Sequence, residues 1–165
     1  MSKGFWIFLV VGLAVVGGLV FTMFTATESA HLRLEGKILK VRVLPLGGDA
    51  SLVVLDFRAT NPSNVPFVVN SVTLHLAPAA GEAVDGRTAS KTNIENIFKY
   101  EKILGPKYSP ILSLQDRIVP HQTVDLMAGA RFELPEAAIN ARKTIRLRLE
   151  DVDGAVAELS EAPAP

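Results

Sequence analysis

Apolar and polar residues alternate one by one along most of the chain between residues 32 and 159. In the run SLVVLDFRAT, for example, Val53, Leu55 and Phe57 fall on one side and Asp56 on the other. Period two is typical of a half-buried β-strand, because successive side chains of a strand point to opposite faces of its sheet. This part of the chain therefore predicts an all-β domain.

Three such strands come first. Gly36 predicts a bulge or bend in the first strand, and Gly47-Gly48-Asp49 predicts a hairpin turn after it. Asn70 interrupts the apolar face of the third strand. The residues expected to face the core are Leu32, Leu34, Leu39, Val41, Val43, Val53, Leu55, Phe57, Ala59, Val68, Val72, Leu74 and Leu76.

The middle of the chain changes its pattern. GEAVDGRTAS is polar and predicts a loop, whereas TNIENIFKYEKILGP spaces its apolar residues as one face of a helix does. Thr92 and Glu95 have the form of a capping box, and Gly105-Pro106 is a stop signal. We predict one helix, about Asn93 to Leu104.

Strand patterns resume after this helix, in a piece over residues 112–118, a long strand over 126–134 and a final hairpin that turns at Asp153-Gly154. Pro135 predicts a single helical turn, since proline is tolerated at the first helical position. The sum is an antiparallel β-sandwich of about seven strands with one inserted helix, over residues 32–159. A disordered tail is expected over 160–165.

The stretch over residues 4–25 carries no charge and has the length of a membrane-crossing helix. We predict a single N-terminal transmembrane helix there, after a short cytoplasmic start over 1–3 and before a linker over 26–31. A cleaved signal peptide is the competing interpretation. The run is longer than a signal sequence's apolar core of about 7 to 15 residues. Cleavage after Ala26 or Ala30 would also leave Phe24 or Glu28 three residues before the cut, where signal peptides have a small residue.

The orientation of this segment depends on the charges that flank it. Lys3 before the segment and Glu28 after it favour a cytoplasmic N-terminus, whereas basic residues between 33 and 42 argue the other way. Those basic residues fall inside the predicted domain, and large domains are translocated largely regardless of charge. We therefore predict a single-pass protein of the cytoplasmic (inner) membrane with its body on the extracytoplasmic, periplasmic side.

Two turn segments carry a family resemblance. Asn61-Pro62 and Pro66-Phe67 separate two alternating strands, and IVPHQTV, which contains Pro120, leads into a long strand. This pattern resembles the late-embryogenesis-abundant type 2, or water-stress (WHy), domain. The resemblance implies an immunoglobulin-like or fibronectin-III-like sandwich, associated with stress protection or membrane-proximal binding, without catalytic residues. Turn chemistry alone also accounts for the residue types of the corner.

Composition and motifs exclude several function classes. Without Lys3 the body has 16 basic and 17 acidic residues, a formal net charge of −1, which argues against a nucleic-acid partner. The chain has no cysteine. The histidines His31, His75 and His121 have no metal-ligand spacing, and the acidic cluster from Glu150 to Asp153 lacks the last ligand of a calcium loop. We predict no cofactor and no metal.

The carboxylates Asp56 and Asp125 are the pair considered for acid–base chemistry, and we expect both on a solvated surface. Two other surfaces are candidates for contacts. Arg146 and Arg148 alternate outward on one strand and are suited to anionic lipid or an acidic partner, although a solvated strand face is the plainer interpretation. In the apolar segment, Ala14, Gly18 and Thr22 form a small-residue stripe of the kind that lets membrane helices associate.

Together these observations favour a non-enzymatic, membrane-anchored β-sandwich module for binding or stress protection near the membrane. The alternative is an accessory subunit of a larger membrane assembly, which would use the small-residue stripe, a sheet edge or the inserted helix. A hydrolase with a dispersed site is a third and less favoured hypothesis, because no nucleophile, base and orienting group are visible together. The oligomeric state is left open.

Overall fold

The computed structural model describes residues 12–18 and 33–161, and the chain divides into two compact units, Met1–His31 and Leu32–Pro165. Residues 12–18 are helical (α1). Within the described ranges, no helix is both long enough and apolar enough to cross a bilayer. Most of the span predicted over residues 4–25, and with it Thr22, lies outside these ranges.

The second unit is an all-β, sandwich-like fold, as the alternation predicts. Its strands are β1 (Glu35–Gly47), β2 (Ala50–Thr60), β3 (Phe67–Ala77), β4 (Val84–Thr88), β5 (Arg117–Ile118), β6 (Thr123–Phe132), β7 (Thr144–Asp151) and β8 (Val156–Ser160). Its helices are α2 (Lys91–Tyr100), a 3-10 turn (Lys102–Leu104) and α3 (Glu136–Asn140). Eight strands are therefore present in the described residues. The additional strand, β4, lies in the segment that was predicted as a polar loop, and that prediction was wrong.

All the strand pairings are antiparallel, and they form two layers. The order β1-β2-β6 makes one layer, and β3-β7-β8 makes the other. Strand β4 joins the layers, because Val84–Gly86 pair with β3 while Arg87 and Thr88 pair with β6. On the opposite side, β1 and β8 meet through a bridge between Ile38 and Glu161.

The main core lies between the two layers and is filled by the inward side chains of both. Phe57, Phe67 and Phe132 are its largest fully buried side chains. A second cluster lies on the outer face of β1-β2-β6, where α2 and the 3-10 turn cover the sheet; it consists of Leu44, Leu52, Val54, Ile94, Leu104, Ile111 and Met127. Strand β2 is thus buried on both faces, which explains why LVVL, residues 52–55, is a continuous apolar run.

The first register shift of β1 falls at Leu39 and not at Gly36, and another lies between Pro45 and Gly47. The register of β1 against β2 skips one residue between Ile38 and Lys40, and the extra residue, Leu39, is 44% exposed instead of facing the core. Gly36 has a different reason to be glycine, since a Cβ atom there would lie 2.0 Å from the carbonyl oxygen of Arg58.

Strand β3 also has a bulge, where its register against β7 skips between Val69 and Ser71. Asn70 is exposed at this point, which accounts for its interruption of the apolar face. The bulge changes which residues face inward before it, so Val69 is fully buried and Val68, predicted to face the core, is half-buried.

The inserted helix was predicted as a single element, and it divides instead into α2 and the 3-10 turn. Its N-cap is Ser90, whose hydroxyl accepts from the backbone N–H of Asn93, so the capping box predicted at Thr92 and Glu95 is wrong. Gly105 follows the 3-10 turn with a φ of 71°, a conformation that favours glycine.

Candidate functional site

Asn61 organises the corner between β2 and β3 from a fully buried position. Its side-chain amide donates to the carbonyl oxygens of Val65 (2.8 Å) and Ile118 (2.9 Å), and its Oδ1 accepts from the backbone N–H and the hydroxyl of Ser63. Every polar atom of this side chain is therefore hydrogen-bonded within the protein, which leaves none for a ligand.

The two segments that carry the family resemblance meet in space. Phe67 pairs with Ile118 across β3 and β5, and the backbone of Asn61 accepts from His121 N–H (2.8 Å) and donates to the Gln122 carbonyl (2.9 Å). Phe67 is fully buried. The corner and the turn before β6 thus form one hydrogen-bonded unit, although 57 residues separate Asn61 from Ile118.

The prolines of this unit lie where no ladder hydrogen bond is needed. Pro62 and Pro66 are exposed on the corner, and Pro120 is half-buried in the facing turn. Proline has no backbone N–H and holds its predecessor extended, so these three residues interrupt the ladder at the places where the chain turns.

Asp56 is buried and not on a solvated surface as predicted. The side chains of Arg42 and Asp56 are only 5% and 8% exposed, and the guanidinium of Arg42 donates to Asp56 Oδ2 from both Nε and Nη2. Arg42 Nη1 also donates to the Leu104 and Pro106 carbonyls, at 2.9 Å each. Because α2 and the 3-10 turn cover this face, the alternation of β1 and β2 alone could not predict the burial.

Asp125 is held by a different arginine and remains exposed. Arg58 donates from Nε (2.6 Å) and Nη2 (2.7 Å) to the two carboxylate oxygens of Asp125, directly across the β2–β6 pair. These hydrogen bonds lower the pKa of Asp125 and raise that of Arg58. Each of the two carboxylates considered for acid–base chemistry is therefore engaged by its own arginine.

Asp151 closes the final hairpin. It is buried, and its carboxylate accepts from the backbone N–H groups of Val68 and Asp153. Gly154 donates to the Asp151 carbonyl, which completes the turn between β7 and β8. This acidic segment is thus a structural turn that also ties β7 to β3. Across the described ranges, no group of three or more histidine or acidic side chains is arranged to hold a metal ion.

The two histidines of the described ranges have separate partners. His75 bonds to Asp85 across β3 and β4, whereas His121 bonds to Asn64 at the corner. His31 lies outside the described residues.

A groove runs along the junction of β1, β8 and the start of β7, beside the end of α3. We call it the seam groove; its volume is about 960 Å³, and its charged lining residues are Arg33, Arg142, Lys143, Arg146, Glu158 and Glu161. Arg142 is paired with Glu161 at 2.7 Å. Of the predicted basic pair, Arg146 lines this groove, while Arg148 is half-buried on the neighbouring sheet surface in register with Glu158.

A second cleft opens between the two layers where β4 ends. We call it the wall cleft; its volume is about 460 Å³. Strand β3 pairs with β5 at Phe67–Val68 and with β4 at Leu74–Leu76, and the cleft lies between these pairings, against β6. Its apolar lining residues are Val72, Ala89, Leu112, Leu114, Ala128 and Gly129. Asn70, Ser90 and Lys91 are among its polar ones.

An apolar patch surrounds the 3-10 turn on the outside of the domain. Tyr100, Ile103 and Tyr108 are 80%, 76% and 70% exposed, and we call them the aromatic patch. A lysine directly precedes each of them in the chain: Lys99, Lys102 and Lys107. Large exposed apolar side chains that lie close together in the chain mark a candidate contact surface.

The comparisons with known proteins identify no family. No family model matches the chain, and no curated protein matches it. Among solved structures, it is similar to an uncharacterized beta-sandwich protein from Clostridium difficile 630, with 12% identity and a TM-score of 0.41, over 78% of this chain and 85% of that one. It is also similar to the archaellum periplasmic stator protein FlaG from Sulfolobus acidocaldarius, with 10% identity and a TM-score of 0.34, over 77% and 98%. Such distant likenesses carry no functional argument.

Two features of these surfaces were missed by the sequence reasoning. The wall cleft arises because β4 changes layers, and β4 itself was not predicted. Arg33 joins Lys143 and Arg146 only because β1 and β8 meet at Ile38 and Glu161, a pairing between distant parts of the chain. A signal was present for the second feature, since RKTIRLR is the densest basic run in the sequence.

Proposed function

We propose that this chain is a single-pass, membrane-anchored and non-enzymatic β-sandwich module that binds a partner or protects against stress near the membrane. The anchor is the charge-free stretch over residues 4–25, and the body lies on the periplasmic side of the inner membrane. The proposal includes membership of the late-embryogenesis-abundant type 2, or water-stress, family.

The strand order supports an immunoglobulin-like or fibronectin-III-like sandwich within this proposal. In an immunoglobulin constant domain, strands A, B and E are neighbours in one sheet and C, F and G in the other. We match β1, β2 and β3 to strands A, B and C, and β6, β7 and β8 to strands E, F and G. The layers β1-β2-β6 and β3-β7-β8 then have the same neighbouring strands as A-B-E and C-F-G. The joining strand β4, which pairs with β6 as strand D pairs with E, then takes the place of D, and helix α2 is an insertion between D and E.

The wall cleft is the observation that carries the binding role. Its volume falls in the range of small-ligand sites, about 300–1,000 Å³, and an apolar lining with a few polar groups is their usual composition. Apolar residues such as Leu112 and Leu114 border the part of β3 between its pairings with β5 and β4, which offers an apolar surface.

Site-directed crosslinking in the native membrane tests the binding role. A photoreactive residue at Leu114, which lines the cleft and is 61% exposed, is expected to give one discrete adduct. The matched control is the same residue at Leu46, which is 44% exposed beside the β1–β2 turn. Equal adducts from both positions, or none from Leu114, would contradict a binding role for the cleft.

Protease treatment of spheroplasts tests the topology separately. The body is expected to be digested by externally added protease, because the proposal puts it outside the cytoplasm. Protection of the body while a known periplasmic protein is digested would contradict the orientation.

The aromatic patch favours a second candidate, an accessory subunit of a larger membrane assembly. Tyrosine and isoleucine side chains at such exposure are common anchors of protein interfaces. Ala14 and Gly18 in α1 are spaced four residues apart, so that they share a helix face where a second helix can approach closely. Thr22 would extend this face, although it lies outside the described residues.

Purification in mild detergent decides between the two candidates. An accessory subunit is expected to migrate as a complex that Tyr100→Ser with Tyr108→Ser dissociates, while Leu114→Ser leaves it intact. A clean monomer in the unaltered protein would argue strongly against this candidate.

A further inference from the structure

We propose that the seam groove docks onto the anionic phospholipid headgroups of the membrane that holds the chain. This inference rests on the anchor in the proposed function, and it adds which surface of the body faces the bilayer. The binding groups are Arg33, Lys143 and Arg146, and the ligand chemistry is the phosphate of an anionic lipid.

These three cations have no anionic partner within the described residues. The salt bridges there involve other pairs, and Arg33, Lys143 and Arg146 take part in none of them. All three are exposed on the groove. Their donors are therefore available to phosphate oxygens, with which arginine and lysine form charge-assisted hydrogen bonds.

The cations of the groove outnumber its carboxylates, one of which is already paired. Glu161 accepts from Nε and Nη2 of Arg142, whose Nη1 donates to the Ile139 carbonyl at 3.2 Å. Glu158, the other carboxylate of the groove, forms no salt bridge among the described residues, so the lining has four cations and two carboxylates. The remaining excess of charge in the groove is positive, which is complementary to an anionic surface.

Only a short length of chain separates the predicted span from the groove. Arg33 follows the last residue of the predicted span, Thr25, by eight positions. Eight residues reach at most about 3.3–3.6 Å each, so Arg33 is tethered within about 29 Å of the span. The groove contains Arg33, so its basic side chains are held within reach of the bilayer surface. This favours the lipid surface over a soluble acidic protein as its occupant.

Headgroup quenching in reconstituted full-length protein tests the inference. The chain has no cysteine, so a single introduced cysteine can carry a fluorophore without altering native thiols. One label replaces Asn140, which lines the groove and is exposed. The control label replaces Asp49, in the turn at the far end of β1. Vesicles of phosphatidylcholine are compared with vesicles that also contain phosphatidylglycerol, each with a quencher on the headgroup.

The expected result is that quenching at Asn140 rises about twofold in anionic vesicles, while quenching at Asp49 does not rise. The rise should disappear at high salt, because screening shortens the reach of surface charge. Lys143→Glu with Arg146→Glu should abolish it. The matched control, Arg87→Glu with Arg117→Glu, makes the same change in net charge at exposed positions away from the groove and should preserve it. Circular dichroism confirms that both variants remain folded.

The outcomes separate this inference from the function on which it rests. Failure of the full chain to float with neutral vesicles contradicts the anchor, and the inference falls with it. If the full chain floats but quenching at Asn140 is equal in both vesicle types, the lipid-binding role of the groove is overturned and the anchor stands. An acidic protein would then be the occupant of the groove. Loss of the rise in both double variants also overturns the lipid-binding role, because the effect would then follow net charge.

Discussion

The guanidinium of Arg42 holds the carboxylate of Asp56 beneath α2, through both Nε and Nη2. The rings of Phe98 and Tyr108 lie 5.3 and 5.5 Å from the guanidinium carbon. Asp56 Oδ1 is buried with no partner among the described residues. One arginine therefore joins strands β1 and β2 to the segment after α2, through the carbonyls of Leu104 and Pro106.

Replacement of Arg42 by methionine is expected to lower the free energy of unfolding by about 3–5 kcal/mol, because the Asp56 carboxylate would stay buried without a counter-charge. Urea unfolding followed by far-UV circular dichroism measures this change. The double variant Arg42→Met with Asp56→Leu should lose less stability than Arg42→Met alone. Strictly additive losses would show that the pair is not coupled.

Asn61→Ala is expected to cost about 1–3 kcal/mol, because it removes the side-chain donor from the Ile118 carbonyl at a buried site, whereas the Ser63 hydroxyl still reaches the Val65 carbonyl at 2.8 Å. Ser63→Ala should cost less, about 1 kcal/mol, since Ser63 is only half-buried. Asn61→Asp is the sharper control. It keeps the acceptor for Ser63 but turns a carboxylate oxygen toward two carbonyls, so it should be at least as harmful as alanine. Equal stability of all three variants in urea unfolding would contradict this account.

Alternation predicted the layers well but could not show what covers them. Val53, Leu55 and Phe57 are buried as expected, because an inward face is a local property of a strand. The burial of Asp56 depends on a helix that follows 35 or more residues later, and no local pattern reports it. Strand β4 was hidden for another reason: its only buried residue is Gly86, where a Cβ would lie 2.6 Å from Phe132 Cζ. A strand whose inward position must be glycine shows no apolar alternation.

The candidate surfaces were less predictable than the fold. The turn residues Asn61 and Pro120 could be selected from the sequence, because turn chemistry is local. The hydrogen bond between Asn61 and Ile118, which are 57 residues apart, could not be predicted from the sequence. In the same way, the basic run near Arg146 was visible, while the addition of Arg33 required the pairing of the first and last strands. Charge clusters built from distant segments depend on topology, which single-sequence patterns specify weakly.

Gly36→Ala is expected to disrupt the start of β1, since the new methyl carbon would meet the backbone carbonyl of Arg58 at 2.0 Å. Backbone atoms cannot move aside as a flexible side chain can, so we expect a loss of about 3 kcal/mol. Gly48→Ala is the matched control. Its φ of 60° strains alanine by about 1–2 kcal/mol, but no atom lies within 4 Å of the new carbon. Thermal unfolding of the two variants compares them, and a smaller loss at Gly36 than at Gly48 would contradict the steric explanation.

The Arg58–Asp125 pair is expected to make stability depend on pH only in acid. Hydrogen bonds from Arg58 lower the pKa of Asp125 in the folded protein below its ordinary value of 3.8. A carboxyl whose pKa is lower when folded contributes stability that is fully present above the unfolded pKa and is lost as the pH falls through the folded pKa. Asp125→Asn should therefore flatten the acid side of the stability curve below about pH 4, and because the pair is exposed it should change stability little near pH 7. Urea unfolding at a series of pH values measures both effects. A difference between the two proteins that is constant from neutral pH into acid would show that the titration of Asp125 is not its cause.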